Sequence, residues 1–119
     1  MIEELVSRVF AIRNAAHLAH LASKSYSEHK ALGKFYPEIV DLADKFAEMY
    51  QGKYGLIGPI ALMSADKSSN VLTFLEKQVS DIVNVRYDVV DKECTPLQNV
   101  IDEIVGLYYT TIYKLKFLA

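Results

Sequence analysis

Glycine and proline divide this chain more sharply than any other feature. Neither occurs before Gly33, whereas Gly52, Gly55, Gly58 and Pro59 crowd into the single stretch GKYGLIGP. On both sides of that stretch, apolar residues recur at three- and four-residue intervals, the spacing that puts them on one face of an α-helix. Ile2, Leu5, Val9, Ile12, Ala16 and Ala19 define a helix over 2–22, and Glu3 and Glu4 suit the positive end of its dipole. Ser23 to Ser27 then reads as a polar turn. Leu32, Phe35, Ile39, Leu42, Phe46 and Met49 predict a second helix over 28–51. Pro37 lies inside it, so the helix either kinks there or restarts with Pro37 in its first turn. The glycine cluster ends this helix and opens a loop, within which 59–66 fits a short connecting helix.

The second half repeats the pattern. Leu72, Leu75, Val79, Ile82 and Val83 predict a helix over 69–88 with those residues inward, although its end, DIVNVRYDVV, is β-branched enough to make an acceptable strand. Thr95 as N-cap, Pro96 at the first helical position and Gln98 behind them form the signature of a capping box. Val100, Ile104, Leu107, Tyr108, Thr111 and Leu115 follow at helical spacing. A chain of 119 residues, 51% of them hydrophobic, suffices for one core, so 1–119 reads as one domain. The expected fold is an all-α four-helix bundle with a long connection between helices two and three.

Chemistry concentrates between His17 and Glu48. All three histidines lie there, and His17, His29, Asp44 and Glu48 follow the pattern H-x11-H-x14-D-x3-E. Two imidazoles and two carboxylates suit a divalent first-row metal such as iron. Asp44 and Glu48, four residues apart, point the same way from one helix. His17 and His20 share a side of the first helix, but His20 is assigned no ligand role and reads as a polar residue beside the site.

The order and spacing of those four residues, within AHLAHLASKSYSEHKALGKFYPEIVDLADKFAEMY, resemble the ferroxidase signature of the Dps family, the mini-ferritins of the ferritin-like superfamily. The final stretch, TPLQNVIDEIVGLYYTTIYKLKFL, is similar to the closing helix of such bundles. The resemblance implies a ferritin-like bundle in which Fe(II) is held by His17 and His29 of one subunit and by Asp44 and Glu48 of a two-fold partner. It further implies oxidation of that iron by peroxide or dioxygen, storage of the ferric product, and a homo-oligomer that is at least a dimer and, in the family, a dodecamer. A continuous second helix separates His29 from Asp44 by about 22 Å, which one subunit can hardly close. The family's basic DNA-binding tail has no counterpart in this sequence.

Other functions find less support. A net charge of −2, with only a sparse run of lysines from Lys24 to Lys34, argues against a nucleic-acid partner. GKYGLIGP lacks the Lys-Ser/Thr ending of a P-loop, and no G-x-S-x-G or C-x2-C occurs. None of the histidines stands third after a glutamate, so the di-iron site of larger ferritins cannot be built. The lone Cys94 fits a reducing compartment, and no apolar run approaches the roughly 18 residues that span a bilayer, so a cytoplasmic protein is expected. Two alternatives to the ferroxidase are a bundle kept for oligomerisation alone, with LYYTTIYKLKFL as its interface, and a helical adaptor or inhibitor that binds a protein through exposed apolar surface.

Overall fold

Four helices form where the apolar periodicity places them. The computed structural model describes residues 2–63 and 70–118. Helix α1 spans Ile2–Ala22, α2 Tyr26–Tyr54, α3 Val71–Val89 and α4 Thr95–Phe117, and no strand occurs among the described residues. The β-branched end of α3 is therefore helical. Helix α2 starts earlier and ends later than its apolar stripe suggests, because its ends are set by caps. Ser25 accepts a hydrogen bond from the Glu28 N–H, and Gly55, at φ 102°, donates its own N–H to the Gln51 carbonyl. That positive φ is a conformation few residues other than glycine adopt readily.

Pro37 neither ends nor restarts α2, which runs through it. Proline removes one hydrogen bond and crowds the carbonyl four residues earlier, here that of Gly33. Helix α3 is capped by Asn70, whose side chain accepts from the Thr73 N–H at 2.8 Å. The expected first residue of that helix, Ser69, and residues 64–66 of the expected connecting helix lie outside the described residues. The described part of the connecting segment, 59–63, is not helical. Val83, expected inward, is 40% exposed.

The capping box of α4 is absent. Cys94 occupies the N-cap without a side-chain bond, and Gln98 is buried and engaged elsewhere. Its amide nitrogen donates to the carbonyls of Val90 and Asp91 at 3.0 and 3.3 Å. Its Oε1 accepts from Arg86 Nε at 2.9 Å, while Arg86 also reaches the Gln98 carbonyl and Asp102. Gln98 thus satisfies the carbonyls of the turn between α3 and α4 instead of the amides of its own helix. Buried polar groups need such partners, and here burial outweighs the local capping preference.

Helix α1 packs on α2 and α3, and α4 packs on the same two, so α1 and α4 are diagonal to one another, as are α2 and α3. Contacts fix the directions. Arg8 of α1 meets Asp81 of α3, whereas Ala19 and Ala22 flank Asn70 and Val71. As α1 is followed forward, its α3 neighbours run backward, so the pair is antiparallel. The segment between α2 and α3 leaves near the start of α1, where Ser7 Oγ donates to the Ala61 carbonyl at 2.7 Å, and delivers the chain to the opposite end. Helices α2 and α3 are consequently parallel. No helix of the described residues is long and apolar enough to cross a membrane.

The core centres on Phe35 and Tyr108, both fully buried, with rings edge to face at 5.4 Å. Tyr108 donates its hydroxyl to Gln78 Oε1 at 2.8 Å, and Gln78 Nε2 donates to the Arg8 carbonyl at 3.1 Å. This chain joins α4, α3 and α1 through the interior, and burial pushes the Tyr108 phenol well above its usual ionisation range.

Candidate functional site

The three-residue turn between α1 and α2 brings their adjoining ends level. His20 and His29 stand almost equidistant from that turn, so antiparallel packing sets them face to face. Their rings stack with centroids 3.7 Å apart and planes 17° apart. His20 Nδ1 lies 2.6 Å from the His29 carbonyl oxygen, and His29 Nδ1 lies 2.8 Å from the His20 carbonyl oxygen. A carbonyl only accepts, so both Nδ1 atoms carry the hydrogen and in the neutral rings the lone pair falls on Nε2. The His20 carbonyl belongs to the last turn of α1, where no amide of the helix can reach it. His29 therefore caps α1 from the neighbouring helix.

The aromatic array continues along the α1–α2 seam. His17 stacks on Tyr36 at 4.0 Å with planes 8° apart, and Arg13 covers the Tyr36 ring at 5.2 Å. His20 lies 6.3 Å from His17 and 5.5 Å from Tyr36, and so joins the two stacks. Gly33 makes room for it: a Cβ there would meet His20 Cε1 at 2.8 Å. His20 thus packs at the centre of the cluster. Its approach to His29 is foreshadowed only by their symmetry about the turn, a signal that a search for ligand spacing passes over.

Of the four expected ligands, the structure brings none into a shared site within one chain. His17 and His29 flank the same seam, but each stacks on a different neighbour. A metal binds in the plane of an imidazole, and the nearly parallel planes of His20 and His29 do not converge on one ion. Asp44 and Glu48 lie far along α2, about 22 Å from His29 by helical rise. Both are exposed, and neither is engaged in an ion pair or hydrogen bond among the described residues. Among those residues no three His, Cys, Asp or Glu side chains gather to hold a metal. His29 is nonetheless arranged as ligating histidines are, with Nδ1–H fixed on a carbonyl and Nε2 left for a metal.

A groove opens beside this cluster. His20, Tyr26, Ser27, His29, Lys30, Gly33 and Lys34 line it from α1 and α2, with Lys114 and Leu118 opposite, and it is a solvent-open concavity of about 780 Å³.

Residues 20–115 match a family model described as a family of unknown function, DUF5856. The chain belongs to that family. The matched span contains His20, His29, Asp44 and Glu48, whereas His17 precedes it. The chain is also 32% identical over 115 residues to an uncharacterized 14.6 kDa protein of the mobD-ri intergenic region in Enterobacteria phage T4, a match that covers 96% of this chain and 87% of that protein. No solved structure matches.

Proposed function

We propose that this DUF5856 member is a Dps-like iron-binding protein whose substrate Fe(II) is held between two copies of the chain. The observation that carries the reading is the separation of donors along α2. Half-buried imidazoles gather at one end of the α1–α2 seam, and two carboxylates, without an ion pair among the described residues, lie exposed on α2 about 22 Å from His29. A second chain set antiparallel across this seam brings the acids of each copy to the histidines of the other. The crossover between α2 and α3 supports the reading, because ferritin-like bundles have one such connection. His29 would supply Nε2, His17 the second imidazole, and Asp44 and Glu48 the negative charge that favours Fe(III) over Fe(II). Dioxygen or peroxide takes up the electrons.

A second reading, an oligomerisation or protein-interaction bundle without chemistry, draws on the exposed ladder Tyr109, Tyr113 and Phe117 along α4. One experiment separates the two. Metal-free protein is titrated with Fe(II), the ferric product is followed by absorbance, and the mass of the assembly is measured under native conditions. The iron reading expects a dimer or larger assembly, stoichiometric iron, and loss of most oxidation above background in both Asp44→Ala and His29→Ala, with helical circular dichroism retained. A monomer that binds iron stoichiometrically contradicts the shared site. Equal background oxidation by wild type and both variants leaves the interaction bundle as the reading.

A further inference from the structure

The outer side of α2 carries Lys30 and Lys34 one turn apart near its start, after Glu28, while Glu38, Asp41, Asp44 and Glu48 follow further on with Lys45 among them. Like charges four residues apart on a helix repel. Lys114, from the last turn of α4, adds a third ammonium to the same groove, and among the described residues no aspartate or glutamate lines it. Among the described residues none of these three lysines forms an ion pair, whereas Lys45, Lys77 and Lys116 each do. Three lysines of an acidic chain thus line one concavity with no aspartate or glutamate beside them among the described residues.

We propose that this groove binds the oligophosphate group of a small molecule, with Lys30, Lys34 and Lys114 neutralising it. Lysine ammonium groups bind phosphate oxygens as mobile point charges, and three of them suit a multiply charged anion better than a single carboxylate. The first turn of α2 contributes in the same sense. Ser25 occupies the Glu28 and His29 N–H groups, which leaves those of Tyr26 and Ser27 at the positive end of the helix beside the groove. The volume, about 780 Å³, lies within the range of about 300–1,000 Å³ common to small-molecule sites. A long polyanion is disfavoured, since the four acids beyond Lys34 repel its continuation. Tyr26 is 75% exposed at the rim, with Lys30 over its ring at 5.9 Å, and offers a surface on which a nucleobase can stack.

The iron reading is not a premise here, because His17, Asp44 and Glu48 do not line the groove. His29 does, so the test uses metal-free protein with chelator. Inorganic tripolyphosphate and ATP are titrated by calorimetry into wild type, into a Lys30→Ala/Lys34→Ala variant, into Lys114→Ala, and into a Lys45→Ala/Lys92→Ala control. Binding of at least one probe below about 1 mM is expected, weakened at least about tenfold in the groove variants and unchanged in the control. Tyr26→Ala identifies the source: selective loss of ATP affinity points to a nucleotide, and equal retention of both points to an inorganic oligophosphate. Absence of heat for both probes at about 1 mM overturns the proposal. So does affinity that survives the groove substitutions, or that falls equally in the control.

Discussion

His20 and His29 each donate a ring N–H to the other's main-chain carbonyl, at 2.6 and 2.8 Å, with the rings stacked between. Each imidazole holds the backbone of the helix opposite. Replacing either with alanine removes one bond directly and the stacking support of the other. His20→Ala is therefore expected to lower stability by about 1–2 kcal/mol, and His29→Ala by a similar amount. The double variant should lose clearly less than the sum, since interacting neighbours couple by about 0.5–3 kcal/mol. Urea denaturation at constant slope measures it, and strict additivity would show that the two bonds act independently.

Gly33 offers a sharper test of the same packing. On helix propensity alone, alanine would improve α2 by about 1 kcal/mol. The added Cβ would instead meet His20 Cε1 at 2.8 Å, and that ring is fixed by its hydrogen bond. Gly33→Ala is expected to give no gain or a net loss, and in a His20→Ala background the propensity gain should return. Gly106→Ala serves as the control, because nothing lies within 4 Å of its Cβ position on α4. A full gain from Gly33→Ala in wild type would mean that His20 moves aside freely.

Asp81 carries a pH-dependent share of the α1–α3 contact. The hydrogen bond from Lys77 holds its carboxyl below the ordinary aspartate range, and Arg8 adds to the effect from α1. A depressed folded pKa stabilises the fold above the unfolded value and loses that contribution as pH falls through the folded value. Asp81→Asn should therefore cost under about 1 kcal/mol at neutral pH, the scale of a solvent-screened pair. The difference from wild type should vanish as the medium is acidified below the usual carboxylate range. Thermal unfolding across pH reads this directly, and a gap that widens in acid would reverse the assigned sign.

Tyr108→Phe keeps the ring against Phe35 but takes the donor from Gln78 Oε1. An unpaired buried acceptor costs about 1–3 kcal/mol, so a clear loss of stability is expected with little change in helicity. In alkaline titration the Tyr108 phenolate should appear only as the protein unfolds, since burial opposes its charge. Early ionisation without unfolding would show that water reaches the ring.

The helices were readable from sequence because their apolar spacing is a property of each segment alone. Leu32, Phe35, Ile39 and Phe46 are all buried on α2, as their spacing requires. What local reasoning could not supply is where a polar side chain spends its hydrogen bonds. Gln98 has the position of a capping residue, yet the unsatisfied carbonyls of the preceding turn claim it. In the candidate site, ligand spacing singles out His17, His29, Asp44 and Glu48. It could not reveal that His20 packs at the centre of the cluster, because that depends on two helix ends meeting across a turn. Nor could it place Lys114 beside Lys30 and Lys34, which are distant in sequence and meet only through the packing of α4 on α2.

The lengthwise connection between α2 and α3 has a consequence for how the chain can assemble. It makes the protein two sequence-local hairpins, α1–α2 and α3–α4, laid against each other with their closed ends at opposite poles. Each closed end has its own polar clasp, His20 with His29 on one and Arg86 with Gln98 on the other. Contacts within each hairpin are short in sequence and can form early, whereas Arg8 with Asp81 and Phe35 with Tyr108 form only when the halves dock. Cutting the backbone in the connection would therefore sever no clasp, and the two halves retain every residue needed to find one another.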